Sequence, residues 1–63
     1  MSRESSGFRA GLHDGRRFIA RGGKLCAEEN LASARKLARP GDRNEAAYLR
    51  GIEAAIKEYG DGS

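Results

Sequence analysis

The chain has no tryptophan, valine, threonine or glutamine, and it carries one proline, one cysteine, one histidine and one methionine in 63 residues. With valine and threonine absent, β-branching falls to Ile19, Ile52 and Ile56, too few for the alternating strands of a sheet. A lone Cys26 excludes an intramolecular disulfide. Cys26 and His13 together make too few ligands for a zinc site. No run approaches the roughly 18 apolar residues of a membrane span, and Met1–Ser5 carries no apolar segment of the secretory kind. The expected compartment is the cytoplasm, with no metal, cofactor or membrane partner. There Cys26 serves as a small half-buried hydrophobe, or crosslinks two copies under oxidising conditions.

The large apolar residues that are present are few: Phe8, Leu12, Phe18, Ile19, Leu25, Leu31, Leu37, Leu49, Ile52 and Ile56, with Tyr48 and Tyr59 as amphipathic additions. A chain this short buries only about 60% of its extended surface. With disulfide and metal excluded, self-association is the remaining way to complete a core.

Helical periodicity predicts an all-α single domain, 1–63, with flexible ends at 1–5 and 60–63. Three short amphipathic helices are expected at about 6–21, 25–39 and 42–59, as a small bundle completed by oligomerisation. The first is capped by Ser5 or Ser6 and stopped by Gly22-Gly23. The second places Glu28 and Glu29 in its first turns and Arg35, Lys36 and Arg39 in its last, as the helix dipole favours. Its apolar face is thin, and Pro40-Gly41 ends it. The third opens with Asp42 and Glu45 in capping-box spacing, carries Glu53 and Lys57 four apart as an ion pair, and stops at Gly60.

Small residues run beside the aromatic ones in two segments: Gly7, Gly11 and Gly15 in the first, Ala47, Gly51 and Ala55 in the last. Small residues four apart let helix axes come close. Gly11, Gly15, Gly51 and Ala55 are therefore read as a helix–helix seam, within one chain or between chains. Of the two, the reading assigns it to an oligomer.

Charge is uneven. Residues 1–24 contain six basic and two acidic side chains, giving +4, and residues 25–63 contain six basic and seven acidic ones, giving −1. Such a bias suits an anionic partner or attraction between copies. Catalysis lacks its parts: no nucleophile stands at a readable spacing from His13, and the carboxylates are dispersed among basic neighbours. Gly22-Gly23 lacks the residues that make a phosphate loop. Binding is the expected class, and the chain is not expected to be an enzyme. Arg9, His13 and Arg16 with Tyr48 and Arg50 are candidates to hold a compact anion such as a nucleotide, arginine pairing with phosphate and tyrosine stacking on a base. A small DNA-binding protein is the alternative, with the second and third helices as a helix-turn-helix and Arg43 and Asn44 as base readers. Glu45, Glu53 and Glu58 on that helix oppose it.

Gly7-Phe8-Arg9-Ala10-Gly11-Leu12 and Ala47-Tyr48-Leu49-Arg50-Gly51-Ile52-Glu53-Ala54-Ala55-Ile56 share an aromatic-x-x-Gly-aliphatic pattern. In this the chain resembles small helical phage-encoded anti-defence proteins, among them oligomeric sponges that sequester cyclic nucleotides. The resemblance implies a homo-oligomer without catalytic activity, which sequesters a nucleotide or inhibits a host defence protein.

Overall fold

The computed structural model describes residues 6–61. It is all-helical there, with no strand among the described residues. The expected three helices are corrected to two: α1, Ser6–Leu37, and α2, Arg43–Asp61, packed as a helical hairpin. The correction lies at Gly22-Gly23, read in the sequence as a stop. Gly23 adopts φ 82° and ψ −170°, a region open essentially to glycine alone. The chain turns there within one residue, and helix resumes with no loop between. A straight helix of 32 residues would reach about 48 Å. The chain extends only 31 × 31 × 15 Å, so α1 is sharply bent into an N-terminal arm (6–22) and a C-terminal arm (24–37).

The other boundaries also shift. The C-terminal arm stops at Leu37 rather than 39, because Pro40 biases Arg39 away from helical geometry. One helical bond, from the Ala38 N–H to the Ala34 carbonyl at 2.9 Å, carries just past the end. Arg39-Pro40-Gly41-Asp42 then forms a turn closed by the Asp42 N–H on the Arg39 carbonyl at 3.2 Å. Gly41 takes φ 84°, and proline followed by a positive-φ glycine is the pattern of a type II turn. Asp42 caps α2, its Oδ1 accepting from the backbone N–H groups of Asn44 at 3.0 Å and Glu45 at 3.1 Å. The Glu45 carboxylate reaches back past the cap to accept from the Arg39 N–H at 2.7 Å. At its far end α2 continues through Gly60, read as a stop, to Asp61. Ser5, the alternative cap of α1, and the expected flexible segment 1–5 lie outside the described residues, as do residues 62–63.

Glycine decides how the arms meet. A Cβ added at Gly7 would stand 2.5 Å from the Asn44 carbonyl oxygen, and one at Gly11 would overlap the Tyr48 carbonyl. At Gly15 it would stand 2.7 Å from the Ala55 Cβ, and at Gly51 2.5 Å from the Leu12 nitrogen. Both series ascend together, so the N-terminal arm runs parallel to α2 with backbone against backbone. The C-terminal arm runs antiparallel to α2: Lys24 approaches Gly60, and Arg35 pairs with Glu53. Glu53 therefore bonds across the hairpin rather than to Lys57, because the facing arm brings a guanidinium within its reach.

The core is small. Among the described residues its buried apolar side chains are Ala27, Leu31, Ala47, Ile52 and Ala55, of which Ile52 alone is both large and fully buried. Leu25, Leu37 and Tyr59 are 73%, 80% and 51% exposed, so a large share of the scarce apolar surface lies outside the hairpin. No helix among the described residues is long and apolar enough to cross a membrane.

Candidate binding surface

The seam residues Gly11, Gly15, Gly51 and Ala55 are all buried between the N-terminal arm and α2 of a single chain. Of the two places open to the seam, the structure occupies the one within the chain. As placed here the four residues are covered by the chain's own backbone and offer nothing to a second copy. The sequence pattern showed that two helices approach closely; it held no information on whether they belong to one chain.

The five candidate ligand residues do not converge. Tyr48 turns toward the inner side of the N-terminal arm, where its hydroxyl donates to the Asp14 carboxylate at 2.6 Å. Partial burial, then the bond to Asp14 and its negative charge, push the Tyr48 hydroxyl pKa up to about 12. Arg16 lies on the opposite border of the same arm. It donates from Nε and Nη2 to the two oxygens of Glu58, at 3.2 and 3.0 Å, and this bidentate bond raises the guanidinium above its ordinary pKa. Arg9, His13 and Arg50 are exposed. Tyr48 lines a hollow of about 190 Å³ with Ala34, Leu37, Ala38, Glu45 and Leu49. A wider, open hollow of about 650 Å³ lies beside the turn, with Arg39 and Arg43 at its edge and Ala46 and Leu49 among its apolar lining. Neither gathers the arginine–tyrosine set that a nucleotide would need.

A broader arrangement does emerge. At about 100° per residue, Arg43, Arg50 and Lys57 fall in one strip along α2, seven residues apart. Arg9 and Arg16 make a similar strip along the N-terminal arm. Because the two helices are parallel and the Arg16–Glu58 bond joins their outer sides, both strips border the side of the pair that faces away from the C-terminal arm. Between them lie half-buried Leu12, Ile19 and Ala54. Arg43 entered the sequence reading only as a base reader in the DNA-binding alternative, and Lys57 only as the partner of Glu53. Their seven-residue spacing around Arg50 was the available signal.

The carboxylates near this side are largely committed elsewhere. Asp14 accepts from Tyr48, Asp42 caps α2, Glu45 caps the Arg39 N–H, Glu53 holds Arg35, and Glu58 holds Arg16. Arg9, Arg43, Arg50 and Lys57 form no ion pair among the described residues. Among the described residues the balance is a basic border whose neighbouring carboxylates already have partners.

Cys26 is a free, half-buried thiol, with the Asn30 amide donating to its carbonyl at 2.8 Å and approaching its sulfur at 3.6 Å. No group of three His, Cys, Asp or Glu side chains among the described residues is placed to hold a metal ion. Compared with known proteins, the chain matches no family model, no curated protein and no solved structure.

Proposed function

We propose that this protein is a non-catalytic binding protein whose partner is anionic and sits on the basic side of the parallel helix pair. The observation that carries the reading is the charge accounting: among the described residues Arg9, Arg43, Arg50 and Lys57 form no ion pair, while Glu45, Glu53 and Glu58 of α2 are engaged within the fold. Partner charge is the cheapest way to relieve four like charges on one surface. In the setting that the phage resemblance suggests, such a protein acts by occupancy, by holding an anionic ligand or covering an acidic patch on a host defence protein. The divergence of Tyr48 from Arg9 and Arg50 favours an extended anionic partner over a single nucleotide.

The test is retention on immobilised heparin, a generic polyanion, across a salt gradient. Wild type is expected to elute at markedly higher salt than Arg43→Ala/Arg50→Ala/Lys57→Ala. Equal elution of the two would defeat the proposal.

Self-association stays part of the reading, supported by the exposed Leu25, Leu37 and Tyr59 and by a core whose large buried residues, among those described, are Leu31 and Ile52. A second copy covering that surface would supply the missing burial. Light scattering at micromolar concentration checks it, and a monomeric mass there would remove it.

A further inference from the structure

The anionic partner assigned to this surface has a shape as well as a charge. We propose that the basic side of the helix pair receives an acidic amphipathic α-helix. This rests on the function proposed above and specifies its partner. Arg43, Arg50 and Lys57 recur every seven residues, as Arg9 and Arg16 do, a step of about 10 Å along each helix. Seven residues is the repeat of the flanking charges in packed helices, where positions beside an apolar stripe meet opposite charge on the neighbour. The floor between the strips supplies the apolar part: Leu12 and Ile19 stand half-buried on the N-terminal arm and Ala54 half-buried on α2, and the exposed Arg16–Glu58 pair bridges the two helices toward the C-terminal end of α2. Gly51 lets α2 approach the backbone of Leu12 closely, so the two strips lie near each other.

Charge complementarity selects among occupants. A second copy of this chain would bring the same cations to the contact. Of its α2 carboxylates, Glu45, Glu53 and Glu58 are already bonded internally, and the exposed Glu28 and Glu29 sit on the C-terminal arm. Like charges placed opposite each other oppose such a dimer. Duplex nucleic acid would neutralise the cations, but its phosphates recur about every 3.4 Å along each strand and leave Leu12 and Ile19 facing a charged backbone. An acidic helix with an apolar stripe satisfies both the strips and the floor.

The probe is a labelled peptide of three heptads with leucine at a and d and glutamate at e and g, measured by fluorescence anisotropy at low salt. The controls are a scrambled peptide of the same composition and a short DNA duplex. The ordered peptide is expected to bind best. Reversing either strip, by Arg50→Glu with Lys57→Glu or by Arg9→Glu, is expected to weaken it roughly tenfold or more. Lys36→Glu, exposed on the C-terminal arm, is expected to leave binding unchanged. Circular dichroism checks the fold of each variant, and Arg50→Gln replaces the reversal if helicity falls. Equal binding of the scrambled peptide, or equal loss in Lys36→Glu, overturns the helix assignment. Tighter binding of the duplex, lost in the strip variants, overturns it while leaving the anionic-partner function intact. Binding of none of the three probes overturns both.

Discussion

Gly11→Ala is the most direct test of how the fold closes. In an ordinary helix interior the change would stabilise by about 1 kcal/mol, because alanine has the higher helix propensity. Here the new methyl would overlap the Tyr48 carbonyl group, which is backbone and cannot rotate away. The two helices must separate, and separation uncovers the contacts at Gly7, Gly15 and Gly51 that depend on the same spacing. Overpacking of this kind costs about 1–3 kcal/mol and more when backbone must move. Because backbone must move, the cost falls at the upper end, about 3 kcal/mol, and less the propensity gain of about 1 kcal/mol it leaves a net loss of about 2 kcal/mol. For a 63-residue chain the whole stability is roughly 3–9 kcal/mol, so the loss is a large fraction and should lower the thermal midpoint by about 10 °C. The assay is urea and thermal unfolding followed by far-UV circular dichroism, with Gly60→Ala alongside. At Gly60 the nearest atom to an added Cβ is the Lys24 ammonium, 3.9 Å away, and the variant should match or slightly exceed wild type. If Gly11→Ala were as stable as Gly60→Ala, the parallel backbone contact would be wrong.

Gly23→Ala places a side chain in a conformation that only glycine tolerates. It should destabilise the bent hairpin by about 1–3 kcal/mol and favour a straightened α1, read as a larger radius or an exchanged dimer in small-angle scattering; an unchanged radius and stability would refute the bend. Asp42→Ala removes both side-chain bonds that cap α2 and should cost about 1 kcal/mol, whereas Asp42→Asn should recover most of it in the same urea titration. Tyr48 gives a pH signature. Its pKa is raised in the fold to about 12 from about 10 unfolded, so the folded state binds more protons between those values. The contribution is fully present below pH 10 and disappears as pH rises through 12. Because the ring is only partly buried, the change is about 1 kcal/mol. Stability measured from pH 9 to 12 should fall less steeply in Tyr48→Phe, and equal slopes would contradict the Asp14 bond.

Residue types and local spacing determined the helical character of this chain before any packing was considered. The lack of valine and threonine excluded a sheet, and the periodic apolar residues placed helices over nearly all of the chain. Asp42 and Glu45 announced the start of α2, Pro40-Gly41 announced the turn, and the glycine and alanine strips announced a close contact. These are properties of a few neighbouring residues, and they act through propensity, capping and steric size. Tertiary structure decided the rest. Gly22-Gly23 reads as a stop because glycine commonly ends helices, yet a single glycine with positive φ also turns the chain between two arms; the choice depends on Ala27 and Leu31 finding burial beyond the bend. Glu53 lies four residues from Lys57 on its own helix, but only the folded hairpin offers it Arg35. Tyr48 and Arg50 are two apart in sequence and were grouped as one site. The bond to Asp14 draws Tyr48 to the inner side, while Arg50 joins Arg43 and Lys57 on the outer one. That outer strip acquires meaning only after the internal ion pairs are formed, because pairing determines which charges remain to meet a partner.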